Sequence, residues 1–217
     1  EYVRLAEQVL LNFSDGDALP VFTGRQRPSG WGKTGSATID RFGAYYVLNR
    51  ILYWNSPNNP TGQVFSRAET EEAAAFARER GVAVVSDEAY EDLVYEGEPN
   101  VPIASLPGMY ERTLTVYTLS KSYSMTGWRI GYVIAPKAYQ TAVKTVVLYT
   151  TNGVSTPTQW AALEAILRGT EFVAEWRNGY RARRDRLVAG LKGAGFELDA
   201  PRAALYLFPR TPAWLGA

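Results

Sequence analysis

The sequence predicts an α/β protein built on a mostly parallel, doubly wound sheet flanked by helices, and three observations carry that expectation. Apolar runs at 51–54, 82–86 and 113–118 have the length and composition of strands buried inside a parallel sheet. A helix-length segment with its own capping signals separates the first two, which is the βαβ arrangement. Each run ends abruptly in a polar loop, and in open α/β sheets ligands lie beyond the carboxyl ends of the strands.

Each element has a local reason. "ILYW" (51–54) runs into "NSPNNPTG", and Ser66 with Glu69 forms a capping box that opens a helix over about 68–80, with Gly81 as its C-cap. "VAVVS" (82–86) delivers "DEAY", and "TLTVYT" (113–118) delivers "LSKS". "RIGYVIA" (129–135) reads as another strand. Thr156 and Gln159 make a second capping box with Pro157 at the first helical position, which predicts a helix over about 158–167. The charged stretch 171–191 predicts a longer helix, and "FEL" (196–198) and "LYLF" (205–208) read as the first strands of a smaller α+β domain. The expected organisation is an N-terminal segment over 1–50, a large domain over 51–168, and a linking helix with the start of the small C-terminal domain over 169–217.

Composition narrows the chemistry. The 217 residues, 46% hydrophobic, suffice for a sizeable core. With no cysteine and no histidine, disulfides, thiolate metal sites and His-based triads are excluded, so catalysis falls to Lys, Asp, Tyr, Ser or a cofactor. A formal net charge of +1 with both signs interspersed gives no reason to expect a nucleic-acid or polybasic membrane surface, and the apolar runs are too short to span a bilayer. The opening "EYVRLAEQVL" lacks the layout of a signal peptide, and the expectation is a cytoplasmic protein.

Asn59, Asp87 and Lys121 each fall just past the end of a candidate strand, so three loops present an amide, a carboxylate and an amine to one crevice. Taken singly, each has an ordinary structural reading: a turn, a helix N-cap, a solvated lysine. Together, "NSPNNPTG", "SDEAYEDLVY" and "SKSYSMTGWRIGY", in that order and at those separations, strongly resemble the class I and II aminotransferases of the fold type I pyridoxal-phosphate (PLP) family. "STPTQWAALEAIL" and "PRAALYLFP" resemble later landmarks of that family, and the resemblance runs from about Ile51 to Pro209.

The resemblance implies roles that suit the residue types. Lys121 matches the lysine that holds the cofactor as a Schiff base and then moves the proton between Cα and the cofactor. Asp87 matches the carboxylate that keeps the pyridine nitrogen protonated, and Asn59 and Tyr90 match the pair that hydrogen-bonds the phenolic oxygen. Arg129, eight residues after Lys121, matches the arginine that grips the phosphate, with Thr118 and Ser120 as hydroxyl partners. Trp128, Tyr117, Tyr123 and Met125 are expected to be core packing. The implied activity is amino-group transfer between an amino acid and a 2-oxo acid in a homodimer, for which the 14 Tyr and 6 Trp supply interface anchors. The same pocket suits C–S lyases, decarboxylases and synthases, because the bond broken depends on how substrate lies against the ring; a non-catalytic sensor domain is the other alternative.

The N-terminal quarter departs from the family. "TGSATID" (34–40) resembles its phosphate loop, with Gly35, Ser36 and Ala37 offering backbone N–H groups. The 22 residues at positions 37–58 are too few for the strands, helices and ring-stacking aromatic that the family places there, although Tyr45 or Tyr46 is a candidate for that aromatic. The arginine that binds substrate carboxylate in the family would fall beyond Ala217. The spacing therefore implies parts of a longer polypeptide with an interruption between about 22 and 44, the rival being a shortened homologue.

Overall fold

The computed structural model describes residues 47–48 and 51–215. Five strands form one sheet in the order β1-β2-β3-β4-β5: β1 (Val47–Leu48), β2 (Ile51–Asn55), β3 (Ala83–Asp87), β4 (Thr113–Thr118) and β5 (Gly131–Ile134). β2, β3 and β4 are mutually parallel, while β1 and β5 flank them antiparallel. Among the described strands the spatial order follows the chain without reversal. The parallel centre is thus as expected, but the reversal that defines a doubly wound sheet is not among them. "RIGYVIA" forms a strand only over its central residues, and that strand runs antiparallel to β4.

Helix α1 (Arg67–Glu79) begins where its sequence says it should. Ser66 Oγ accepts the Glu69 N–H at 3.2 Å and Glu69 Oε2 accepts the Ser66 N–H at 2.9 Å, the reciprocal capping box. It ends in a Schellman arrangement, with Gly81 N–H donating to Arg78 O and Val82 N–H to Ala77 O. Its small residues Ala73, Ala74 and Ala77 are buried and let the helix lie close on Leu52, Trp54 and Val84. Phe65, Ile103, Leu106 and Met109 close this core, with the Phe65 ring 4.5 Å from that of Trp54. Full burial of a side chain such as Leu52 or Ile103 stabilises by about 1.5–3 kcal/mol, so this one face of the sheet holds much of the folding energy.

Three further helices follow the single turn α2 (Leu119–Ser122): α3 (Gln140–Thr150), α4 (Thr156–Arg168) and α5 (Thr170–Gly193). α4 does not start with the capping box expected at Thr156. Ser155 is its N-cap, without a side-chain cap, and Gln159 Nε2 reaches back to Val154 O at 2.7 Å, so the helix begins earlier with Pro157 inside its first turn. α3 has no counterpart among the sequence expectations because its Val and Thr residues weigh against helix, and Thr145 and Thr150 satisfy their hydroxyls on carbonyls one turn back. In α5, Val173, Arg184 and Val188 fall on one stripe and are buried.

"FEL" and "LYLF" do not form ladder strands. The segment before "LYLF" gives its backbone hydrogen bonds elsewhere: Ala203 N–H to Gly62 O, Ala204 N–H to Leu93 O, and Arg202 O from Tyr95 N–H, with a single antiparallel bridge between Val94 and Ala203. Arg184 fastens α5 to the same place, donating to Pro201 O at 2.9 Å, pairing with Glu96 and Asp185, and lying 5.1 Å over the Tyr95 ring. No helix among the described residues is long and apolar enough to cross a membrane.

Candidate active site

Strand register builds the site. Asn55 at the end of β2 pairs with Asp87 at the end of β3, and Asp87 pairs with Val116 two residues before the end of β4, so all three parallel strands stop along one edge. The loops that carry Asn59, Asp87 with Tyr90, and Lys121 leave from that edge.

Asn55, which the sequence reading passed over, ties two of these loops together. Its buried amide donates to Asp87 O at 3.2 Å while its Oδ1 accepts from Asn59 N–H at 3.0 Å and Asn58 Nδ2 at 3.2 Å. A second link runs behind the site. Ser56 Oγ donates to Asn100 Oδ1, Asn100 Nδ2 donates to Glu88 Oε2, and Ser86 Oγ donates to Glu88 Oε1, each at 2.7–2.8 Å. Burial raises the Glu88 carboxyl to about 7; the hydrogen bonds from Ser86 and Asn100 oppose that rise and neighbouring Asp87 adds to it. Glu91, also short of water and beside Asp92, is pushed up to about 8.

Asp87 is half-buried and uses its two oxygens differently. Oδ1 accepts the Ala89 N–H at 3.1 Å, the ordinary capping role, and Oδ2 accepts the Tyr53 hydroxyl at 2.5 Å. Tyr90, one turn further on, is buried, and its hydroxyl donates to that of Tyr206 at 3.1 Å. Burial first, then Tyr206 and Asp87, raise its pKa, and a hydrogen bond with the Asn59 side chain offsets part of that rise. Lys121 stands on α2, whose Leu119 and Ser122 point into the core one turn apart, leaving the lysine on the half-exposed side with Nζ 6.0 Å from the Tyr90 ring centroid. Thr118 Oγ1 accepts the Ser120 N–H at 3.2 Å and donates to Ser120 Oγ at 2.9 Å, so these two hydroxyls sit together at the start of that turn.

Arg129 is exposed, and its Nη1 donates to Thr126 O at 2.9 Å. Its backbone is left-handed, φ 52°, which strains a non-glycine residue. The structure therefore brings Asn59, Asp87, Tyr90 and Lys121 to one edge, places Thr118 and Ser120 beside Lys121, and turns the Arg129 head toward its own loop. Trp128 is not core packing. It is 51% exposed because the turn at Thr126–Trp128 lies on the surface, whereas Met125 is buried with Leu119 and Ala162. Gly35, Ser36, Ala37, Tyr45 and Tyr46, and the interruption expected between about 22 and 44, lie outside the described residues.

Most of the chain resembles known proteins. Residues 37–214 match the family described as aminotransferase class I and II. An aspartate aminotransferase of Pinus pinaster is 42% identical over 173 residues, covering 77% of this chain and 35% of that protein. An aromatic-amino-acid aminotransferase of Thermococcus litoralis is 40% identical over 176 residues, covering 80% and 45%. Among solved structures, an aromatic aminotransferase from Pyrococcus horikoshii OT3 superposes with a TM-score of 0.70 at 40% identity, covering 76% of this chain and 45% of that one. The N-succinyldiaminopimelate aminotransferase of Mycobacterium tuberculosis gives 0.70 at 35% identity, covering 79% and 44%. The chain thus spans less than half the length of these relatives. With its motifs, its sheet and its residues 37–214 all in agreement, the chain belongs to the class I and II aminotransferase family and has the fold type I architecture.

Proposed function

We propose that the protein is a PLP-dependent aminotransferase that moves an amino group between an amino acid and a 2-oxo acid, acting as a cytoplasmic homodimer. The observation that carries this reading is the convergence of Asn59, Asp87, Tyr90 and Lys121 at the carboxyl edge of the sheet. An amine, a carboxylate and two polar side chains able to donate complement the aldehyde, pyridine nitrogen and phenolic oxygen of PLP, so the side chains present fit that cofactor.

PLP, when bound, supplies the electron sink for the pair left at the amino acid's Cα. The Lys121 amine would hold the aldehyde carbon of PLP and, once released by substrate, would take the proton from Cα and deliver it to that former aldehyde carbon on the other side of the amino nitrogen. The Asp87 carboxylate keeps a proton on the pyridine nitrogen, while Asn59 and Tyr90 donate to the phenolic oxygen. Thr118, Ser120 and Arg129, with the backbone of Gly35, Ser36 and Ala37, serve the phosphate. The names of the relatives, aspartate and aromatic-amino-acid aminotransferase, support an α-amino acid with an acidic or aromatic side chain as donor. Exposed apolar residues of α3 and α4, Tyr149 at 78% and Leu167 at 66%, support further burial of these helices, which a second subunit would provide.

Half-reaction spectroscopy tests the reading. Adding amino acid to the PLP-loaded protein without oxo acid should convert the bound cofactor to its amine form with release of one equivalent of 2-oxo acid and no ammonia. Release of ammonia with the 2-oxo acid, the mark of a lyase, or no spectral change with any amino acid would contradict it.

A further inference from the structure

Tyr206 reaches the site from a part of the chain that none of the three strand-end loops contains. Its segment is held at consecutive residues: Ala203 N–H donates to Gly62 O at 3.1 Å, Ala204 N–H to Leu93 O at 3.1 Å, and the Tyr95 hydroxyl to Ala204 O. Ala204 takes a left-handed conformation, φ 64°, and lies buried against Tyr90 and Leu93. The segment is thus fixed on the "NPTG" loop that carries Asn59 and on the loop that follows Tyr90. Two residues later the Tyr206 ring meets Tyr90 edge-on, centroids 6.1 Å apart, with the hydroxyls 3.1 Å apart.

We propose that Tyr206 is a positioning residue for Tyr90, fixing the direction of its hydroxyl so that, with Asn59, it donates to the phenolic oxygen of the bound cofactor. The inference rests on the PLP reading above. Each phenol has one proton and two acceptor positions, so the pair stays bonded whichever way the proton points. In this structure Tyr90 donates to Tyr206, and the Asn59 side chain is its other hydrogen-bond partner. When an anionic oxygen takes the Tyr90 proton, Tyr206 donates into Tyr90 instead, and a donor that itself accepts is a stronger donor. The closeness of the two phenols also raises the Tyr90 pKa, which keeps its proton available for donation.

The test is a pH titration of the visible absorbance of bound PLP in four full-chain proteins: wild type, Tyr206→Phe, Tyr90→Phe and the double variant. Losing one hydrogen bond into Tyr90 leaves the anionic form of the ring oxygen less stabilised, so Tyr206→Phe should move the midpoint upward by roughly 0.5–1 pH unit. In the Tyr90→Phe background the same substitution should move it by less than about a third of that, because the effect passes through Tyr90. An equal shift in both backgrounds, or no shift from Tyr206→Phe in a wild type that does take up PLP, overturns the assignment alone. A wild type that develops no visible absorbance with PLP overturns the functional reading and this inference with it.

Discussion

Asp87 and Arg129 are both proposed to serve the cofactor, yet their surroundings separate the parts they would play. Asp87 is held on both oxygens, by Ala89 N–H and by Tyr53, and ends a strand registered on two sides. Arg129 is exposed on a surface turn. Asp87→Asn keeps the shape and removes the charge, so single-turnover rate should fall by about 100-fold or more with PLP still bound. Arg129→Ala should mainly weaken PLP binding, by about 10- to 100-fold, the worth of charge-assisted hydrogen bonds to phosphate. Titration of each variant with PLP checks this, and equal loss of affinity in both would contradict the division. Glu88 is a different kind of acid, 1% exposed and engaged behind the site. Its carboxyl titrates at about 7 in the folded chain against 4.5 for an ordinary glutamate. Between those values the folded form keeps a proton that the unfolded chain has released, so this group's contribution to stability is present at low pH and is lost as pH rises to about 7. Glu88→Gln removes that dependence. Its unfolding free energy relative to wild type should therefore improve by about 2–4 kcal/mol between pH 4.5 and pH 7.5, as read by urea denaturation at each pH. A difference constant across pH would contradict the burial argument.

At the scale of elements, the "NPTG" loop does more than present Asn59. Gly62 has φ +67°, and a Cβ there would lie 2.5 Å from both Ala203 O and Pro201 Cβ, so the loop and the 201–204 segment approach as closely as a missing side chain allows. Gly62→Ala should cost about 2–4 kcal/mol through backbone strain and separation of the two segments, visible as a lower midpoint in urea. Unchanged stability would contradict the close approach. Local signals made much of this level legible: the Ser66–Glu69 box, Gly81 and the three parallel strands depend on residues near one another in sequence. What was not legible depends on distant partners. Asn55 and Tyr53 matter because β2 registers on β3, and Tyr206 matters because 202–204 pair with the 62 and 93–95 loops instead of forming a strand. Trp128 was misplaced for a similar reason, since an apolar residue beside an apolar strand reads as core until the turn beneath it is known.

At the scale of the molecule, one face of the sheet is packed and the other is partly open. α1 covers Leu52, Trp54 and Val84 on the packed face and Tyr53 is exposed on the opposite one, while the edge strand β5, whose residues alternate between the two faces, is exposed along its whole length. The chain spans less than half of its relatives, and the part it contains is the part that sets Asn59, Asp87, Tyr90 and Lys121 along one edge. A single sheet edge, assembled from three loops of one chain, is proposed to place one lysine where it would hold the cofactor. The measurement that tests it most directly is borohydride reduction of the PLP-loaded protein followed by peptide mapping. One stable pyridoxyl label is expected, carried by Lys121, and no label at the site in Lys121→Ala. A label on another lysine of the native protein, or a PLP adduct undiminished in Lys121→Ala, would contradict it.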